Sequence, residues 1–386
     1  MTRIAGDWLD RPATRAVCAM LEGAGHQVFF VGGCVRDTLL GRAVGDIDLA
    51  TDARPDQVFA CAKAAGLNPV PTGVEHGTVT VVSEGIPHEV TTFRQDVETD
   101  GRRAVVAYAD DIETDAQRRD FTMNALYADS RGAVLDPTGQ GLADLAVRQV
   151  RFIEDPEARI REDYLRILRF FRFHAWYGDP AAGMDPAALA AIAANSAGIE
   201  TLSAERIGHE MLRLLAAPDP APAVAAMRQT GVLMLILPGA DDMALAPLVH
   251  LEAAGGHAPE GLRRLAALGG SDVATRLRLS RAQARRLADI ARALDEAGDA
   301  AALGYRHGAA LALDALLIQA ASLGQPVDPA AIDSVQQAAA RVFPVSARDL
   351  MPDYQGPALG KRLSVLEERW LASAFALTRQ DLLDDE

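Results

Sequence analysis

No apolar run in this sequence approaches the roughly 20 residues that a membrane-spanning helix needs. Gly-Val-Leu-Met-Leu-Ile-Leu stops at Pro238, and the apolar stretch after Gly308 carries Asp314. The opening residues Met-Thr-Arg-Ile-Ala-Gly-Asp-Trp lack the apolar centre of a signal peptide. A cytoplasmic protein with no membrane partner is therefore expected. Cysteine is scarce. Cys18, Cys34 and Cys61 are odd in number, at spacings that match no thiolate zinc pattern, and read as reduced thiols. Basic charge is also short: 38 Lys and Arg stand against 53 Asp and Glu, a net charge of −15. That balance argues against loose, sequence-blind binding to polyanions, whose affinity comes from many Lys and Arg contacts to phosphate. A nucleic-acid partner would have to meet a local basic surface. Arg148 to Arg172 holds seven arginines and Arg263 to Arg292 holds eight, although each segment also reads as a solvated helix face. No internal repeat is present, and low complexity is limited to alanine richness.

What is there is an ordinary globular composition, 49% hydrophobic and 24% charged over 386 residues. That is enough chain for two to four domains with real cores. From Val28 to about Leu145, short β-like runs (Val28 to Val31, Asp46 to Ala50, Thr78 to Val82, His88 to Phe93, Val105 to Tyr108) alternate with turn signals and two helical patterns. After Arg159, apolar positions recur every three or four residues and the remainder reads as helical. Breaks fall at Gly178 to Asp185, Ala217 to Pro222, Leu237 to Asp242, Gly255 to Pro259 and Gly324 to Asp328. The fold class expected is α+β, a mixed-sheet head followed by a long helical body.

The chemistry concentrates in four places. Val28 to Gly41 reads as a strand, two glycines and a short helix. Gly32 and Gly33 let the backbone turn and approach a triphosphate, although a tight turn without a ligand looks the same. In Gly45-Asp46-Ile47-Asp48-Leu49, strand alternation would put Asp46 and Asp48 on one face and Ile47 and Leu49 in the core. Two carboxylates beside a phosphate-binding turn suit Mg²⁺ in an in-line nucleotide transfer, whereas an isolated Asp-x-Asp also marks a plain surface strand. Glu89 is the candidate third carboxylate, with a solvent-facing strand glutamate as the bland alternative. Arg118-Arg119-Asp120-Phe121-Thr122-Met123-Asn124 offers an arginine for the triphosphate and a carboxylate for a ribose 2′-OH, unless Asp120 only caps a helix. In Glu162-Asp163-Tyr164-Leu165-Arg166, helical spacing would place Asp163 and Arg166 on one face, with Arg169 and Arg172 continuing the stripe. Such a pair is often a mere surface ion pair. Beside a nucleotide it complements cytosine and adenine, which offer an amino donor next to a ring-nitrogen acceptor, and rejects uracil and guanine.

In this order the motifs resemble those of the class II tRNA nucleotidyltransferases and bacterial poly(A) polymerases of the polymerase-beta-type superfamily. The resemblance covers most of the first 215 residues. Within it, Gly32-Gly33-Cys34-Val35-Arg36-Asp37 with Asp46 and Asp48 is similar to the family's metal-binding motif, and Arg119-Asp120 with Asn124 to its ribose-selecting motif. Leu135 to Leu145 resembles the motif tied to interdomain movement. Glu162-Asp163 to Arg166 resembles the amino-acid template for CTP and ATP, and Ser203 to Glu210 the helix-stabilising motif. Arg348 to Met351 followed by Gly356 to Gly360 is similar, more weakly, to the family's tail. The resemblance implies a catalytic head at 1–145, a nucleotide-selecting neck at 146–215, a body at 216–300 and a tRNA-binding tail at 301–386. It also implies a flexible loop within Gln95 to Asp115, Mg²⁺ as cofactor, and tRNA, CTP and ATP as partners, with no stable protein partner. The reaction implied is CCA addition to tRNA by attack of the 3′-hydroxyl on the α-phosphate. Rivals are A tailing, a half-specific CC- or A-adding activity and a catalytically silent RNA-binding protein. The acidic ending Asp381 to Glu386 contrasts with the basic extension of bacterial poly(A) polymerases, and no His-Asp doublet marks an appended phosphohydrolase domain.

Overall fold

The alternating runs from Val28 onward resolve into β1 (Val28–Val31), β2 (Asp48–Thr51), β3 (Asn68–Val70), β4 (Thr78–Ser83) and β5 (Ile86–Thr92). A separate ribbon follows, β6 (Arg94–Thr99) with β7 (Ala104–Tyr108), and then β8 (Tyr127–Ala128) and β9 (Val134–Leu135). This computed structural model describes residues 2–99, 104–296 and 299–384. Its seven-stranded sheet has the order β3-β4-β5-β2-β1-β8-β9. Among its described pairings β2 with β5 is parallel and the others are antiparallel.

Register in this sheet follows from local chemistry. Glu84 and Gly85 connect β4 to β5 with φ of 50° and 79°, the double positive φ of a type I′ hairpin turn. The turn pairs Ser83 with Ile86 and hence Thr80 with Glu89. His88, Val90 and Thr92 are buried while Glu89 is exposed, as the period of two requires. Parallel pairing then sets Glu89 beside Asp48. Helices Pro12–Gly23 and Pro55–Ala64 pack on the sheet, and Thr14 Oγ1 meets His88 Nε2 at 3.1 Å in the interior.

A flexible loop is expected within Gln95 to Asp115. Its described part is mostly the β6–β7 ribbon and the start of helix Ile112–Gln117, which Asp111 caps at Thr114 N (2.7 Å). Residues 100–103 lie outside the described residues. The ribbon forms because Arg94 pairs with Tyr108 and Gln95 with Ala107 across it.

Beyond β9 the described residues contain no further strand. Helices end at Tyr177, Leu215, Ile236, Ala254 and Leu323, and resume at Pro186, Ala221, Leu245, Gly261 and Pro329, so each predicted break is a helix boundary. Asp155, Asp185 and Ser203 cap the helices that follow them, supplying acceptors for otherwise unpaired N–H groups.

The chain divides into two compact units, Met1–Pro238 and Gly239–Glu386. The expected boundaries at 145, 215 and 300 fall within these units. In the first, Phe121, Phe152, Phe170 and Phe173 form one aromatic cluster with ring centroids 5.0–6.2 Å apart. It joins the segment after the sheet to helix Leu165–Tyr177. In the second, helices Leu245–Ala254, Arg281–Asp295 and Ala309–Leu323 share a core of Leu248, Ile290, Leu317 and Ile318. Trp370 centres another with Leu366, Val345 and Leu382. No described helix is long and apolar enough to cross a membrane.

Candidate active site

Gly32 sits at φ 70° between β1 and helix Gly33–Leu39, a left-handed conformation that glycine adopts without strain. Its N–H donates to Leu126 O (3.2 Å), and its carbonyl accepts from Arg36 N (2.9 Å). On the adjacent strand, Ile47 and Leu49 are buried as expected. One expectation needs correction. Asp46 lies in irregular chain before β2, which begins at Asp48, so strand alternation does not by itself align the two carboxylates. Glu89 N donates to Ile47 O (3.2 Å), extending the β5 contact back towards Asp46. Asp46 and Glu89 are exposed, Asp48 half-buried.

Asp48 carries the electrostatic signature of the site. Burial first, then the Glu89 carboxylate, push its carboxyl up to about 6, with Asp46 adding to the rise and Arg119 and Arg36 opposing it. The carboxylates of Glu89 and Asp46 thus both act on Asp48. Among the described residues no group of three or more His, Cys, Asp or Glu is arranged to enclose a metal ion. An all-oxygen donor set of one or two carboxylates fits a divalent cation that shares its coordination with substrate phosphates.

Arg119 brings positive charge to Asp48. Its Nη2 donates to Asp115 Oδ2 (2.9 Å) and its Nε to Tyr127 OH (3.0 Å). Asp115, 1% exposed, also receives Arg118 Nε at 3.0 Å. Burial opposes ionisation of Asp115, but the two arginines and Tyr127 hold it well below the usual carboxylate range. Asp115 and Tyr127 were not singled out from sequence. The i, i+4 spacing of Asp115 and Arg119 was the available signal.

Asp120 is saturated. Oδ1 accepts from Phe121 N and Asn124 Nδ2, both 2.9 Å, and Oδ2 from Arg169 Nε (2.7 Å) and Nη2 (2.6 Å). Burial would raise its carboxyl; Arg169 and Asn124 outweigh that and bring it down to about 2. Asp120 therefore does more than start a helical turn. Arg36, 6% exposed, donates Nη1 to Asn124 Oδ1 (2.5 Å), Nε and Nη2 to the Asp37 carboxylate (3.0 and 3.2 Å) and Nη2 to Tyr177 OH (2.7 Å).

The expected pair of Asp163 and Arg166 is not made. Helix Pro156–Glu162 ends before Asp163, whose backbone is extended (φ −153°, ψ 105°), and the next helix starts at Leu165. Helical spacing does not apply across that break. Asp163 Oδ2 instead accepts from Arg206 Nη2 (2.7 Å), and its Oδ1 from Leu165 N (3.1 Å). Arg166 binds Glu162, Arg159 O (2.9 Å) and Arg118 O (2.8 Å). Arg172 donates to Glu210 at 2.5 Å, and Arg169 Nη1 is 4.0 Å from the same carboxylate.

The Leu135–Leu145 segment supports this layer. Asp136 binds Thr138 Oγ1 (2.9 Å), Gly139 N (3.1 Å) and Leu142 N (3.0 Å), and Asp144 accepts from Thr122 Oγ1 (2.7 Å). Gly141 passes so close that a Cβ there would lie 2.6 Å from Thr122 O.

Comparison with known proteins identifies relatives of this chain. The profile of the poly A polymerase head domain matches residues 28–151, and that described as a probable RNA and SrmB-binding site of polymerase A matches residues 183–243. The CCA-adding enzyme of Geobacillus thermodenitrificans is 41% identical over 225 residues, 58% of this chain and 54% of that protein. The chain thus spans about half the length of that relative and of several similar ones. The CCA-adding enzyme of Limosilactobacillus fermentum is 34% identical across 96% of this chain and 94% of its own length. Among solved structures, the Bacillus stearothermophilus CCA-adding enzyme in complex with CTP superposes with a TM-score of 0.71 at 27% identity, covering 94% of each chain. End-to-end similarity of that kind, with the carboxylate strand pair and the double-glycine turn within the matched head domain, makes this chain a member of the CCA-adding enzyme family.

Proposed function

We propose that this chain adds CCA to the 3′ end of tRNA from CTP and ATP, without a nucleic-acid template and with release of pyrophosphate. The observation that carries this reading is the pairing of Asp48 with Glu89 beside the Gly32 turn, where burial first and then the like charge of Glu89 raise the Asp48 carboxyl. Asp46 and Asp48 are assigned to hold Mg²⁺, and Glu89 to complete the acidic surface. When bound, Mg²⁺ supplies acidity to the attacking 3′-hydroxyl and offsets charge on the phosphates. No side chain is assigned as a general base.

The chain's own residues bind and orient. Gly32 and Gly33 offer close backbone to the triphosphate, and Arg119, held by Asp115 and Tyr127, gives it a fixed positive charge. Asn124 and Asp120 are assigned to the ribose. Since four donors already fill the acceptor positions of Asp120, a 2′-hydroxyl must displace one of them. Asp163 and Arg166 are assigned to the base. They become available when the base edge replaces Arg206 and Glu162 as their partners, and Arg169 and Arg172 brace the layer through Asp120 and Glu210. The three thiols are free, in keeping with a reducing compartment, which we take to be the cytoplasm.

The test is product analysis. Purified protein receives tRNA transcripts ending before CCA, after C and after CC, with CTP and ATP alone and together. Addition that stops after CCA supports the proposal; open-ended A tailing of unrelated RNA would replace it with poly(A) polymerase activity, and addition of C or A alone with a half-specific enzyme.

A further inference from the structure

Tyr177, the last residue of helix Leu165–Tyr177, touches none of the carboxylates, yet it closes a circuit through the site. Its hydroxyl accepts from Arg36 Nη2 at 2.7 Å, and its ring lies 3.9 Å from the Arg36 guanidinium carbon and 4.9 Å from that of Arg42. Those two arginines lie in and just beyond helix Gly33–Leu39, so the ring makes cation–π contacts with both. The other route from the same helix runs back through polar groups: Arg36 to Asn124 (2.5 Å), Asn124 to Asp120 (2.9 Å), and Asp120 to Arg169 (2.7 Å), two turns before Tyr177. Helix Leu165–Tyr177 therefore grips the helix behind the double-glycine turn at one point through its phenol and at another through Asp120.

We propose that Tyr177 is a positioning residue for nucleotide transfer, acting through Arg36 to fix helix Gly33–Leu39, and with it the Gly32-Gly33 turn, against Asp48. The inference rests on the reaction proposed above and adds a residue that none of the motifs contains. Arg36 N donates to Gly32 O (2.9 Å), so a tilt of this helix carries the turn with it. Arg36 also contributes positive charge at Asp48. Removing the hydroxyl leaves Arg36 Nη2 with Asp37 as its partner, while removing the ring also takes away the aromatic surface that both guanidiniums contact.

Steady-state incorporation of CTP and ATP into tRNA lacking CCA is compared for the parent, Tyr177→Phe and Tyr177→Leu, well below the melting temperature of the weakest variant. Tyr177→Phe keeps the ring and should lose roughly threefold to tenfold in kcat. Tyr177→Leu should lose on the order of 100-fold, the scale of a small misplacement of reacting groups. KM for both nucleotides should stay within about twofold, and discrimination against UTP should hold, because the base-reading residues lie at the other end of the helix. Parent-like kcat in Tyr177→Phe and Tyr177→Leu overturns the proposal, as does a rise in KM with kcat preserved. Should the leucine variant fail to fold, the phenylalanine variant decides alone. No incorporation by the parent would overturn the proposed reaction and this role together, whereas full turnover by both variants removes only Tyr177.

Discussion

At Asp120, four hydrogen bonds meet one buried carboxylate, and its charge has consequences for stability. Its carboxyl is brought down to about 2 from an ordinary value of 3.8, so its stabilisation is fully present above about pH 4 and is lost as pH falls through 2. Asp115, depressed in the same direction, adds to the same acid limb. Asp120→Asn removes the ionised partner of half-buried Arg169, which keeps the Glu210 carboxylate at 4.0 Å. Urea unfolding near neutral pH should show a loss of about 1–3 kcal/mol, and the gap to the parent should narrow towards pH 2.5. A constant gap across that range would refute the ionised pair. Two substitutions test the assigned roles directly. Asp46→Ala should abolish incorporation, and retained turnover would remove it from the metal site. Asp163→Ala should lose discrimination against UTP, and unchanged selectivity would move base reading elsewhere.

Much of this was legible in sequence because strands have a period of two and glycine marks left-handed turns. The burial of Leu49 and the left-handed turn at Gly32 follow from those rules alone. The pairing of Asp163 with Arg166 did not, because the helix breaks at Asp163 without a proline or glycine to announce it. Nor could the sequence reveal that Arg36 ends on Tyr177 or Arg172 on Glu210. Those partners lie far along the chain and meet only through packing.

Among elements, helix Gly141–Ala146 and the turn Thr122–Asn124 are held at backbone contact by Gly141. Gly141→Ala must push Thr122 O away, disturbing Asn124 and Asp120 behind it. Overpacking of this sort costs about 1–3 kcal/mol, and thermal unfolding should show it together with weakened incorporation. An alanine variant as stable and active as the parent would mean the segment gives way freely. In the second unit, four helices are joined by charge rather than by apolar contact alone. Arg263 bridges Glu252 and Asp314, both at 2.7 Å, Arg264 binds Glu252 at 2.7 Å, and Arg286 binds Asp314 at 2.6 Å. Asp314, which interrupts an otherwise apolar helix, thus has two arginine partners. Glu252→Ala should destabilise this unit by about 3–5 kcal/mol, since two arginines lose their shared carboxylate. Denaturant unfolding with a probe at Trp370, the tryptophan in that unit, measures it.

For the whole molecule, the net charge of −15 makes the placement of arginines decisive. Most of those between Arg148 and Arg172 are bound to acids or carbonyls of the first unit. In the second unit Arg263 and Arg264 are buried, leaving Arg276, Arg278, Arg281 and Arg285 exposed on the segment from helix Val273–Arg276 into helix Arg281–Asp295. If this segment meets tRNA phosphates, changing all four to Ser should weaken tRNA binding and reduce the salt slope of log K by up to about 3–4. An unchanged slope would place the RNA elsewhere.

The circuit that runs from Arg169 through Asp120, Asn124 and Arg36 to Tyr177 also sets how the first unit comes apart. The sheet-bearing segment cannot open locally without baring a guanidinium, a carboxylate and the aromatic cluster around Phe121. Amide protons of β1, of helix Gly33–Leu39 and of helix Leu165–Tyr177 should exchange with deuterium as a single cooperative block, so that the sheet and the helix that braces it share one lifetime.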